Sequence, residues 1–141
     1  MIPIYFAEIN ETIEQFAAAH FILDASVTFD IRPGNQGYLT GSVIFEDFSS
    51  LHFKEFVDAA PGIVEKLSYS YHYQEADETL VFRYDNARHK PALAFREHKH
   101  TVLGTISEAL SPALGDPCIT RKAPLWLIRQ ILCQACVSSK T

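Results

Sequence analysis

The chain has 141 residues, 48% of them apolar and 21% charged, with 17 Asp and Glu against 12 Lys and Arg and a formal charge of −5. This is an ordinary globular composition, read as a single domain over 1–141 that can bury about two thirds of its unfolded surface. The acidic balance excludes a broadly basic nucleic-acid-binding face, because neutralised phosphates supply most of such affinity, and leaves room only for a local basic patch.

Ile2-Pro3-Ile4 is followed by Glu8 and Glu11, so no basic leader precedes an apolar run, and no segment reaches membrane-spanning length. A cytoplasmic protein is expected, with no membrane partner. Phe6, Ile9, Ile13, Phe16, Ala17 and His20 recur at steps of three and four, which predicts a helix over about 5–19 with His20 near its closing carbonyls. From Phe21 the period becomes two. Val27, Phe29 and Ile31 alternate with Thr28 and Asp30 until Pro33-Gly34-Asn35 ends a strand. Tyr38–Phe45 is a second strand and Leu51–Asp58 a third, separated by the turn at 46–50. Ala59–Gly62 turns the chain into a hairpin whose arms begin at Leu67 and Leu80. In it Tyr69, Tyr71 and Tyr73 alternate with Ser70 and His72, and Leu80, Phe82 and Tyr84 alternate with Val81, Arg83 and Asp85.

His98 to Val102 suits a short sixth strand, 111–121 reads as loop, and Pro124 opens a helix running to about Val137. Cys118, Cys133 and Cys136 are odd in number, and the Cys133-x-x-Cys136 pair lacks a second pair or a nearby histidine. They are read as thiols rather than as a disulfide or zinc framework. The fold class that results is α+β: an antiparallel meander of five to six strands with both helices on its apolar face.

Burial sets the expected register. If Leu51, Phe53 and Val57 share a face with Leu67, Tyr69 and Tyr71, and with Leu80, Phe82 and Tyr84, one side of the sheet is continuously apolar. The tyrosines and Phe82 are then core. The other side carries His52, Lys54, Ser68, Ser70, His72, Arg83 and Asp85, with Phe56 and Val81 as apolar exceptions. Glu55 falls on the apolar face, where a charge needs the sheet margin, a basic residue or a tyrosine hydroxyl.

Arg83 and Asp85 point the same way from one strand, with His72 in diagonal reach across the hairpin. An imidazole, a guanidinium and a carboxylate together suit phosphodiester chemistry, the first moving protons near neutral pH and the second stabilising developing charge. A surface ion pair beside an exposed strand histidine has the same spacing. His98 and His100 share a face if extended, and such a pair invites a metal with His89 or Asp85; lacking a diagnostic third ligand, it is read as metal-free, with no cofactor. Asn86 suits a bond to backbone at a strand end.

The runs L-H-F-K-E-F-V, Y-S-Y-H-Y-Q, F-R-Y-D-N-A-R-H-K-P and H-K-H resemble the TumE-like family of small proteins linked to bacterial toxin–antitoxin modules. The resemblance spans about 38–102, and F-R-Y-D-N-A with H-K-H is its most specific part. Its matched positions here are Glu55, Tyr71, His72, Arg83, Tyr84, Asp85, Asn86, His89, His98 and His100. Residues 88–97 depart from the family pattern, and the chain after His100 matches little of it. The resemblance implies a toxin with a cognate antitoxin as partner.

The site expected from these residues is catalytic at His72, Arg83, Asp85, His98 and His100, and substrate-binding at Tyr71, Lys54, Asn86 and His89. It would act as a metal-independent ribonuclease, or on a nucleotide, reaching RNA through a local patch. A reading from another class stays open: a non-enzymatic module that docks a partner through its sheet and C-terminal helix. Leu125, Trp126, Leu127, Ile128, Ile131 and Leu132 give that helix more apolar surface than one sheet needs, which predicts a homodimer.

Overall fold

A computed structural model describes residues 1–18, 22–87, 98–101 and 106–108. One helix, α1 (Ile2–Ala17), precedes seven strands: β1 (Ile22–Arg32), β2 (Gln36–Phe45), β3 (Ser50–Ala60), β4 (Ile63–Gln74), β5 (Leu80–Asp85), β6 (His98–Thr101) and β7 (Ile106–Glu108). All pairings are antiparallel, and the order across the sheet is β1 to β7 without a crossover. The expected α+β meander is present with one strand more, since β7 has only three residues and shows no period. His20, the cysteines, the C-terminal helix and the dimer surface assigned to it lie outside the described residues.

Helix α1 starts three residues earlier than its periodicity suggests. Pro3 sits in the first turn, where a missing N–H breaks no helical bond. Ile2, Tyr5, Phe6, Ile9 and Ile13 form its buried stripe. They pack on the face that carries Leu39, Val43, Phe45, Leu51, Phe53, Val57, Tyr71 and Tyr73. Phe6 meets Phe29 of β1 at 4.7 Å between ring centroids. Gly62, with φ of +79°, makes the tight β3–β4 turn that a side chain would strain.

The β3–β4 register puts Leu51 opposite Tyr73, Phe53 opposite Tyr71 and Glu55 opposite Tyr69. This is the register that burial dictates, with one correction. Pairing slips between Phe56 and Val57, so Val57 faces Lys66 and Leu67 becomes the extra residue, 38% exposed. Lys66 takes the apolar-face position instead, with Nζ 4.3 Å from the Tyr69 ring centroid. A second correction concerns β5. Phe82 and Tyr84 pack against the core but are only half-buried, because the next strand offers Thr101 and Lys99 opposite them. Lys99 Nζ lies 5.2 Å from the Tyr84 ring and 5.8 Å from that of Phe82. Leu80 pairs with Gln74 across a further irregularity and is also half-buried.

Gly41 of β2 lies directly opposite Phe53. A Cβ there would stand 2.4 Å from Phe53 Cζ and 2.6 Å from the Ser26 carbonyl oxygen, so the aromatic ring and the β1 backbone both occupy the space of a side chain. Gly41→Ala should therefore cost about 1–3 kcal/mol in a urea titration, by overpacking. Phe53→Ala should cost about 3–5 kcal/mol. Phe82→Ala, at its half-buried position, should cost clearly less than Phe53→Ala.

Candidate functional site

Direct cross-strand pairing arranges the polar face in two rows. One runs Ser42, His52, His72, Arg83, His100 from β2 to β6. The other runs Thr40, Lys54, Ser70, Asp85, His98 across the same strands. Neighbours in a row stand on strands about 4.8 Å apart. Residues far apart in the chain thus become adjacent because alternate positions of every strand share this face.

Asp85 is where the rows meet. Its Oδ2 accepts from Arg83 Nε at 2.8 Å and lies 3.3 Å from His100 Nε2. Its Oδ1 lies 3.2 Å from His98 Nδ1 and accepts from the Ala87 amide at 3.2 Å. His98 Nδ1 also approaches the Asp85 carbonyl oxygen at 3.0 Å, and since a carbonyl only accepts, that nitrogen carries the proton. Burial alone would raise the Asp85 pKa. The Arg83 hydrogen bond, the Ala87 amide and the charges of His100 and Arg83 outweigh it and hold the carboxyl below the usual carboxylate range. Exposure decreases toward the hub: the Arg83 side chain is 36% exposed, His100 20%, His98 3%.

His72, between His52 and Arg83, sits on the floor of an open groove of about 320 Å³. Its Nε2 meets Gln74 Oε1 at 3.1 Å, and its Nδ1 is covered and has no hydrogen-bond partner among the described residues. With Nε2–H donating to the Gln74 oxygen, Nδ1 holds a lone pair that no protein group uses. Loss of water lowers the His72 pKa, and the positive charges of Arg83 and His52 lower it further against the opposing Gln74 bond. A neutral imidazole results. Lys54, Ser70 and Arg83 also line this groove.

Other expected site residues stand elsewhere. Tyr71 lies on the opposite face, fully buried, and its hydroxyl donates to Glu55 Oε2 at 2.5 Å. Tyr5 of α1 donates to the other oxygen of the same carboxylate. Asn86 is buried, accepting from the Tyr69 amide at 3.0 Å and donating to the Leu67 carbonyl at 3.3 Å. It thereby supplies the backbone partners that the β4 bulge removes. His89 lies outside the described residues. Sequence reasoning left His52 and Ser70 out of the site, although the register that pairs His52 with His72 and Ser70 with Asp85 would have found both.

A family profile described as toxin TumE matches residues 10–120, most of the chain. The chain belongs to the TumE toxin family. The match extends beyond both ends of the 38–102 stretch that carries the resembling motifs, taking in the second half of α1 and all of β1 and β7. Comparison with curated proteins and with solved structures finds no match. The TumE match makes the protein a toxin component, and it includes Glu55, His72, Arg83, Asp85, His98 and His100. No helix among the described residues is long and apolar enough to cross a membrane.

Two outcomes follow for this TumE chain. Asp85→Asn removes the charge that Arg83, His98 and His100 share, and should cost about 1–3 kcal/mol at pH 7. Because the folded pKa of Asp85 is depressed, its stabilisation is present above the ordinary carboxylate pKa and is lost as pH falls through the folded value. The gap between wild type and Asp85→Asn should therefore close below about pH 4 in denaturant titrations. Glu55 has the opposite sign. Desolvation raises its pKa despite Lys66 and the two phenol donors, so stability is greatest with the carboxyl protonated and declines as pH rises from the unfolded pKa to the folded one. Glu55→Gln should abolish that decline, whereas Glu55→Ala, leaving two buried phenols without an acceptor, should cost about 2–5 kcal/mol.

Proposed function

We propose that this TumE-family toxin cleaves RNA by acid–base catalysis at the row His72, Arg83, His100. The observation that carries the reading is the pairing order: Arg83 is the direct cross-strand partner of both His72 and His100. A cation thus stands between two imidazoles. A phosphodiester held over Arg83 would have one imidazole on each side, which is the arrangement in-line displacement at phosphorus requires.

In this reading neutral His72 removes the proton from the ribose 2′-hydroxyl, whose oxygen attacks the adjacent phosphorus. Protonated His100 donates to the departing 5′-oxygen. The products are a 2′,3′-cyclic phosphate and a 5′-hydroxyl, and the two protons exchanged leave the enzyme one transfer from its starting state. The Nη nitrogens of Arg83, without a protein partner among the described residues, face the non-bridging oxygens, while Asp85 holds Nε and fixes the fork. His98 is too buried to touch substrate and acts as a positioning residue behind Asp85. Because His72 Nδ1 is covered, the base in this reading is Nε2, which exchanges its Gln74 partner for the 2′-hydroxyl on the tautomer that carries the proton on Nδ1.

Membership of a toxin family suggests a cognate antitoxin as the protein partner. A second reading, a non-enzymatic module that docks a partner, is favoured by the charge of −5, which opposes RNA binding over the whole surface. One experiment separates the two. Purified protein is incubated with a short RNA, and the termini of the products are identified. Cleavage to cyclic phosphate should fall about 10²–10⁴-fold in His72→Ala and in His100→Ala. Melting should change little in His72→Ala, since a half-exposed position contributes little to stability. The rate should rise with pH along an acid limb whose midpoint lies below about 6.5, the ordinary histidine value, because His72 must be neutral and its pKa is lowered. Growth arrest by a wild type that leaves RNA intact would favour the docking module.

A further inference from the structure

Resting on the phosphodiester reading, we propose that the groove continuing over β3 and β2 is a second phosphate subsite. It is built from Lys54, His52, Thr40 and Ser70 and takes the phosphate next to the one over Arg83. The substrate is then a single-stranded oligoribonucleotide, lying across the strands, rather than a mononucleotide.

Lys54 carries the argument. The described part of the chain contains five Lys and Arg side chains. Arg32 pairs with Asp30, Arg83 with Asp85, Lys66 lies over Tyr69 and Lys99 over Tyr84. Lys54 alone has neither a carboxylate nor an aromatic partner among the described residues, and it stands exposed beside the groove. No carboxylate lines that groove, whose polar side chains are hydroxyls, imidazoles and cations. Such a lining offers donors to phosphate oxygens from both rows of the sheet. In a chain of net charge −5 this local concentration of donors is the exception rather than the rule.

Geometry sets the direction of the strand. Lys54 and Arg83 stand two strand spacings apart on β3 and β5 and two residues out of register, roughly 12 Å diagonally, and the flexible lysine stem shortens that span. At the end of the sheet where β2 turns into β3 and β4 into β5, a separate cavity is lined in part by Asp47, Glu75 and Asp77. That acidic rim repels a polyanion from the strand ends and confines it to the path across the strands. A duplex would need charge neutralisation on two backbones, which one groove with Lys54 and Arg83 as its two cations does not supply.

The test measures binding of a fluorescent 2′-O-methyl hexaribonucleotide, which cannot be cleaved, against a 2′-O-methyl dinucleoside monophosphate carrying one phosphate. The wild type should bind the hexamer more tightly, and Lys54→Ala should lower the slope of log affinity against log salt by about 0.7, one phosphate's share for a single strand. Binding of the one-phosphate probe should stay unchanged, Lys54→Arg should restore the slope, and His52→Gln should weaken the hexamer alone. An unchanged slope in Lys54→Ala, a hexamer bound no better than the short probe, or a wild type that binds neither would overturn the subsite. The two proposals fail separately. Hexamer binding with the Lys54 slope but no cleavage of the corresponding RNA sinks the ribonuclease reading alone. Intact cleavage with an unaltered slope sinks the subsite alone.

Discussion

A buried carboxyl group ties this fold together. Glu55 is fully buried in the middle of β3, where an ionised group is tolerated only with strong partners. It receives one hydroxyl from Tyr5 of α1 and another from Tyr71 of β4, so a single side chain joins the helix to two strands. Burial and the nearby carboxylate raise the pKa of both phenols well above the ordinary value, so each remains a donor. Apolar contact alone would let the helix slide along its stripe; the two hydrogen bonds select one position. The register of β3 against β4 then follows, because Phe53 must face Tyr71 when Glu55 reaches its hydroxyl.

The two faces of the sheet depend on that register equally. Every position that places a tyrosine toward α1 places its neighbour toward the groove, so His72 owes its location to Tyr71 and Tyr73. Asp85 and Asn86 divide the same dependence between them. Asp85 gathers Arg83, His98 and His100 on the polar face, and Asn86 secures the β4 bulge through the Leu67 carbonyl and the Tyr69 amide. Consecutive residues thus order the polar side chains and the backbone respectively. This explains why Asn86, matched by family motif, stands in the backbone rather than in the groove.

Much of this was legible in the sequence, for a physical reason. A half-buried antiparallel strand must alternate, so Val27 to Asp85 displayed its strands, and the apolar face then left one consistent register. Glu55 was visible as a charge that needed a partner, and a tyrosine hydroxyl was among the partners named. Which tyrosine lay on α1 was not visible, since Tyr5 is 50 residues away and no local pattern encodes a contact at that distance. The bulge at Leu67 was hidden because Leu67 alternates correctly with its neighbours and only the partner strand shows it to be the extra residue. Phe82 and Tyr84 looked like core from their spacing, whereas their exposure depends on how polar the following strand is. Tyr71 was placed with His72 by motif, although period two sends adjacent residues to opposite faces.

The meander has a temporal side as well. Each strand pairs only with its neighbours in the chain, so loop closure is short and the sheet can grow strand by strand as it leaves the ribosome. The hub around Asp85 is the exception to early completion. Two of its three side-chain partners, His98 and His100, arrive with β6, near the end of the described chain. Until that strand is added, Asp85 has only Arg83 and the Ala87 amide, and the row beyond Arg83 is missing. A nascent chain of this design stays without its assembled polar face until β6 has been made.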